Sequence, residues 1–300
     1  MQNNIPEYFG ENPQNSVDLT AIQPDDFSDT IFLVDDHLKL SLAKGLLSEC
    51  TLYKQTPFFE WVTGYIESKK VSIVNTGIGI GKVDLILNTI DQCVNPDINT
   101  DDSGKRLSLH FVQLASIASA QQHVCVGSKV LAEFAMGMDN LLHFYDYQTF
   151  PLEEWLSRQI ELALEAHRVQ MPFYLLEGSA VLRQLFANVE QKGILATTPG
   201  YFAPRGLKAR KSGKYAKLLK HLSDFQYKSI CIHGFDAEAS AIHGLSRVLN
   251  HNCCSLGLVT ENLKDGTQIE DFEQHFSEMV SFAFDRFLSL PDNNVLDNVF

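Results

Sequence analysis

The stretch "VSIVNTGIGIGKVDLILNTID" (71–91) runs from a β-branched apolar segment through a burst of glycines into a helix-period segment. A strand that turns this sharply into a helix lets its backbone approach a ligand, often a phosphate. Two common phosphate motifs can be tested on Gly77, Gly79 and Gly81. The dinucleotide fingerprint requires a glycine where Lys82 stands. The P-loop requires four residues before its Gly-Lys pair and a hydroxyl residue after it; here three residues follow Gly77 and Val83 follows Lys82. Both motifs fail. Close packing of a strand-to-helix turn would by itself also call for these glycines.

Outward from this turn, short apolar runs alternate with helical patterns. Strands are expected at 30–34, 71–75, 107–115, 129–135, 173–178, 193–199, 229–235 and 253–260. Helices are expected over 38–48, 82–91, 151–169, 179–192 and 237–251, and a last one near 271–290 capped by Asp271. That last helix aligns Phe272, Phe276, Met279, Ala283 and Phe287 on one face. Alternation of this kind predicts an α/β fold: a central mixed sheet flanked by helices in a single domain. The domain is drawn over 17–300 after an N-terminal extension of 1–16, and 94–106 reads as an exposed loop.

The net charge of −13 argues against nucleic acid and anionic membranes as partners. Only "RGLKARKSGKYAKLLK" (205–220) runs against it, as a solvated basic face or a local anion patch. No apolar run reaches the roughly 20 residues that span a bilayer. The first residues carry no signal-peptide pattern, and the six cysteines form no C-x-x-C pair. A cytoplasmic protein with free thiols and no metal or other cofactor is the expectation.

Several further segments, in order, resemble the nucleoside phosphorylase family, closest to its uridine-phosphorylase-like branch. They are "IQPDDFSDTIFLVDD", "TGYIESKKVSIVNTGIG", "LAEFAMGMDNLLHFYD", "TTPGYFAPRG" and "FDAEASAIHGLSRVLNH". The resemblance implies a partly barrel-like sheet, a homodimer or higher homo-oligomer, and a site that takes a nucleoside with or without phosphate. It places Glu238 on the ribose hydroxyls, with Asp236 beside it and Ala237 in the slot of a methionine that packs on the sugar. Tyr201, Phe202, Arg205 and Asn262 would face the base. Gly77 and Gly79 would form the phosphate turn with Asp35 and Ser116.

The phosphate side departs from the family pattern. Asp35 stands where that pattern has a glycine, and a carboxylate there repels phosphate. Lys39 and Gln113 stand in arginine slots, and a third arginine falls near Pro57. Lys39 lacks the planar fork that grips phosphate through two bonds. Three readings follow. The surviving ribose turn puts phosphorolysis first, cleaving a nucleoside to base and pentose 1-phosphate. A degenerate homologue that binds a nucleoside or serves as a scaffold is the alternative, and a phosphate-independent nucleosidase is the third.

Overall fold

The computed structural model describes residues 22–95, 107–205, 207, 210, 211, 213, 214 and 217–289. The 1–16 extension and most of the 94–106 loop lie outside the described residues. The chain opens with β1 (Thr30–Val34) and α1 (His37–Lys44), followed by β2 (Glu49–Gln55), β3 (Glu60–Ile66) and β4 (Lys69–Asn75). Then come α2 (Ile80–Val94), β5 (His110–Ser119), β6 (Lys129–Gly137), α3 (Pro151–Ala166), β7 (Tyr174–Glu177) and α4 (Ala180–Leu185). The last part holds β8 (Gln191–Thr197), α5 (Leu218–Ser223), β9 (Gln226–Tyr227), β10 (Ile230–Asp236), α6 (Ala239–Val248), β11 (Asn252–Asn262) and α7 (Phe272–Leu288). Every strand expected from the sequence forms; β2, β3, β9 and α5 were not anticipated.

The strands join in the order β2-β3-β4-β1-β5-β11-β6-β8-β10-β9, with β7 on β6. Strand β10 also pairs antiparallel with β5 through Gly234 with Ser119 and Phe235 with Ala118. That extra pairing closes β5, β11, β6, β8 and β10 into a ring. The sheet is mixed: β1 runs parallel to β4 and β5, whereas β11 is antiparallel to β6. A partly closed barrel with helices on its flanks is therefore the architecture.

Strand β1 is buried along its whole length, as a strand covered on both faces must be. Phe32 and Val34 pack toward α7, whose Phe276, Met279, Val280, Ala283 and Phe284 fill one core. Ile31 and Leu33 pack toward α2 and α6 through Val83, Ile86, Leu87, Ala241, Ile242 and Leu245. The helix face expected in α7 is thus the buried one. Asp271 sits at its N-cap position but makes no capping hydrogen bond with its side chain.

Gly137 marks a tight point in β6. A Cβ built there would meet the Tyr174 ring at 2.1 Å. The Tyr174 hydroxyl donates to both Asp139 oxygens at 2.8 and 2.9 Å, so the ring cannot withdraw without breaking them. Gly137→Ala is expected to cost about 1–3 kcal/mol by overpacking. Chemical denaturation measures it, and an unchanged midpoint would contradict the close approach.

Candidate functional site

Three turns meet at one end of the sheet. The first follows β1, the second is the glycine turn after β4, and the third joins β10 to α6. Thr76 ties the first two together: its backbone N–H donates to the Val34 carbonyl at 2.8 Å and its hydroxyl to the same oxygen at 3.1 Å. Gly77 and Gly79 both have positive φ, 63° and 106°, which favours glycine at each. The Gly77 N–H is held by the Asn75 carboxamide at 2.9 Å, a local turn lock. The Gly79 N–H donates to Glu238 Oε1 at 2.7 Å, joining the second turn to the third.

A narrow crevice lies between them, lined by Val34, Asp35, Thr76, Gln113, Ala115 and Glu238 among others. Glu238 is 2% exposed. Burial, and then the fields of Asp236 and Asp35, push its carboxyl well above the usual range, against the pull of the Gly79 N–H and Lys39. Asp236 is equally buried and anchors α6. It accepts from the Thr197 hydroxyl at 2.6 Å and from the Ala239 and Glu238 N–H groups at 2.6 and 3.2 Å. Burial still raises its carboxyl above the ordinary value.

Gln113 on β5 donates from Nε2 to Asp236 Oδ2 at 3.4 Å, across the seam that closes the barrel. Lys39 is buried inside α1 and forms an ion pair with Asp35, one helical turn earlier in the chain. Its ammonium also lies 5.9 and 5.8 Å from the centres of the Phe272 and Phe276 rings of α7. Its charge is therefore engaged inside the protein. Asp36 caps α1 by accepting from the Lys39 N–H at 2.8 Å.

Not every residue named from the sequence reaches the cleft. Ser116 lies farther along β5, opposite Leu258, and is not part of the lining. Ala237 is half-buried between the two carboxylates. Asn262, fully buried, gives its amide hydrogens to the Gln121 and Val124 carbonyls, both at 3.0 Å, and its oxygen to the Lys264 N–H at 2.8 Å. That carboxamide is consumed in folding the end of β11. Tyr201 and Phe202 stand on the loop after β8, 63% and 59% exposed, with the Arg205 guanidinium 4.9 Å from the Tyr201 ring centre. Thr198, at the root of this loop, is bound to the Asp236 carbonyl at 3.0 Å, so the loop leaves the sheet beside the turn from β10 into α6. No group of three or more His, Cys, Asp or Glu residues fit to hold a metal occurs among the described residues.

The sequence reading overlooked Glu60. Its carboxylate accepts from Asn75 at 2.9 Å and from the Tyr53 hydroxyl at 2.8 Å, and His37 Nδ1 lies 2.9 Å away. It thus links the first turn, the β2–β3 hairpin and, through Asn75, the glycine turn. Burial alone would raise this carboxyl, but the hydrogen bonds from Asn75, His37 and Tyr53 outweigh it and hold it below the ordinary value. Such a group stabilises the fold above its unfolded pKa, and the contribution fades as pH falls through the folded one. Glu60→Gln is expected to cost about 1–2 kcal/mol at neutral pH and almost nothing in strong acid. Urea midpoints across that range measure it; a pH-independent loss would contradict the charge-based account.

No family model matches the sequence, and no curated protein matches it either. Solved structures do match in shape. A Trypanosoma brucei nucleoside phosphorylase with uridine phosphorylase activity superposes with a TM-score of 0.76 at 15% identity, over 89% of this chain and 95% of that one. A purine nucleoside phosphorylase from Toxoplasma gondii, in complex with immucillin-H, gives 0.59 at 11% identity, over 88% and 93%. A futalosine hydrolase mutant from Helicobacter pylori gives 0.56 at 12% identity, over 87% and 99%. The chain has the nucleoside phosphorylase fold over nearly its whole length, as the motif resemblance implies. At these identities the likeness establishes the fold and leaves the chemistry to the site.

Proposed function

We propose that this chain binds a nucleoside and is a phosphorylase-like protein that has given up efficient phosphorolysis. The observation that carries the reading is Glu238. It lines the cleft at the junction of all three turns, and its Oε2 meets no donor among the described residues. A carboxylate oxygen left open in this way suits the vicinal hydroxyls of a ribose. Tyr201 and Phe202 offer the base a stacking wall.

Efficient phosphorolysis needs preorganised charge at the phosphate, and each missing donor costs on the order of a hundredfold in rate. Here Lys39 is occupied by Asp35, and Gln113 carries no charge. Slow phosphorolysis to base and pentose 1-phosphate is the second reading, favoured by the position of Lys39 beside the cleft. The test is calorimetric binding of uridine, inosine, adenosine and guanosine, followed by assay of free base with and without phosphate. Binding without release supports the proposal. Phosphate-dependent release establishes the second reading, and phosphate-independent release points to hydrolysis. Absence of binding by any of the four removes the nucleoside reading.

The resemblance also supports a homodimer. Phe58 and Phe144, 40% and 83% exposed, lie in segments such a pairing would cover. Sedimentation of the protein as a monomer would rule this assembly out.

A further inference from the structure

Helix α3 carries two seams. On one, Glu153, Leu156, Ile160 and Leu164 are buried in the fold. The other is Leu152, Trp155, Gln159, Leu162 and Ala166, spaced alternately by three and four residues along the outward side. Its large apolar members, Leu152, Trp155 and Leu162, are 46%, 39% and 44% exposed. This spacing is the one along which two helices pack side by side. A helix that already buries one face in its own core needs only polar residues on the rest. The second seam also holds a single polar residue, Gln159, at its centre, and one such residue fixes the register of a helix pair.

The two sides of this seam differ in charge. One is the solvent face of α3, with Glu154, Glu161 and Glu165 against Arg158 alone, which pairs with the last two at 3.0 and 3.5 Å. The other side is made by α5 and β9. Leu218, Leu219 and Leu222 of α5 share a core with Leu156, Ile160 and Leu164, and the His221 ring stacks on His167 at 3.8 Å. The Tyr227 ring of β9 meets Trp155 edge-on at 4.3 Å, with the Lys228 ammonium 5.4 Å from the Tyr227 ring centre. Lys217, Lys220 and Lys228 on this side are exposed and form no ion pair among the described residues.

We propose that the outward seam of α3 is a self-association surface, on which a second copy of this chain lays its own α3 in parallel. Charge selects both the occupant and its direction. A two-fold axis running along the seam exchanges the sides, so the acidic side of each copy meets the lysine side of the other. An axis across the seam would make the helices antiparallel and set like charge against like. Coiled coils that stand alone run for at least about three heptads, so the charged sides and Tyr227 carry part of this contact. The surface is separate from the one that Phe58 would serve. Phe58 lies in the turn between β2 and β3 at one edge of the sheet, and β9 is the last strand at the other. It is also independent of the nucleoside reading.

Sedimentation equilibrium of the full chain at micromolar concentration tests the surface. Leu162→Glu is expected to halve the mass of the assembly, whatever other contact holds it. Glu161→Lys with Glu165→Lys should weaken association roughly tenfold. Adding Lys220→Glu and Lys228→Glu to that chain should restore it, since the sides have then exchanged charge. Direction is read by oxidative cross-linking with copper phenanthroline, with the exposed Cys50 and Cys125 changed to serine. Leu152→Cys and Leu162→Cys should each form a disulfide with its own like, as parallel helices require. Far-ultraviolet circular dichroism and a thermal midpoint confirm that each variant is folded, and Leu152→Lys replaces Leu162→Glu if that variant is not.

A monomeric unaltered protein overturns the proposal. So does an assembly whose mass Leu162→Glu leaves unchanged, because its contact then lies elsewhere. Cross-linking of the 152 variant to the 162 variant, with neither joining itself, overturns the parallel arrangement, as does a charge-exchanged chain that associates no better than the Glu161→Lys, Glu165→Lys chain.

Discussion

Glu153→Ala is expected to remove about 3–5 kcal/mol of stability, the cost of leaving one member of a buried ion pair alone. Glu153 is 1% exposed at the start of α3. Both of its oxygens are used twice. Oε1 accepts from Arg247 Nη2 at 2.7 Å and from the Glu177 N–H at 2.6 Å. Oε2 accepts from Arg247 Nη1 at 2.7 Å and from the Phe150 N–H at 2.8 Å. Truncation strands the Arg247 guanidinium, whose side chain is only 9% exposed, together with two backbone donors. Urea denaturation measures the loss. The companion variant Glu153→Leu with Arg247→Met should recover part of it, since apolar replacement of both partners leaves no charge stranded. A single-variant loss below about 1 kcal/mol would show that solvent reaches the pair. The consequence for function is positional, because Arg247 holds the far end of the helix that begins beside Glu238.

Glu238→Gln is expected to move stability and binding in opposite directions. The carboxyl is raised by burial and by Asp236 and Asp35, so the folded chain holds its proton more tightly than the unfolded chain does. Below its ordinary value of 4.5 both states are protonated and the group costs nothing. Above that value the unfolded state ionises first, and stability falls as pH rises toward the folded pKa. Glutamine keeps an acceptor for the Gly79 N–H and carries no charge to desolvate. The variant should therefore be more stable than the unaltered protein at neutral pH and no more stable in acid. Asp236 remains, so some of the slope survives. Nucleoside affinity should drop roughly tenfold to a hundredfold as charge-assisted bonds to the ribose are lost. Denaturation at two pH values and one calorimetric titration check both halves. A less stable variant at neutral pH would mean that Glu238 is already ionised at little cost.

Most of the fold was legible because the runs that form β1, β5, β6, β8, β10 and β11 are short, apolar and punctuated. The hairpin of β2 and β3 was not. Six of the seven β3 residues are buried, the polar Glu60 and Thr63 among them, so no alternation of apolar and polar residues shows. In β2 the residues are largely exposed, so composition does not separate it from a loop. Helix α5 starts within the end of the basic run, where charge masked the buried Leu218 and Leu219, and it continues past the run to the buried Leu222.

The site divides in the same way. Glu238 could be placed from its motif because a turn fixes its backbone. The state of Lys39 could not, since its partner depends on a rotamer, although the i to i+4 spacing from Asp35 was a usable hint. Asn262 is the converse case: the 121–124 turn takes its amide hydrogens, and only three-dimensional packing reveals that.

The place of β11 in the sheet bears on how the protein is made. It is the last strand in the chain, yet it sits between β5 and β6 and pairs with both. During synthesis β5 and β6 emerge long before the strand that must bridge them. Until about residue 262 has left the ribosome the ring stays open, with two hydrogen-bonding edges and the apolar faces beside them uncovered. Contacts between residues as distant as His110 and Asn252 form late and slowly, and such open intermediates are prone to aggregate. A nascent chain halted before β11 should therefore be protease-sensitive and bound by chaperones, and release of those last strand residues should commit the whole barrel at once.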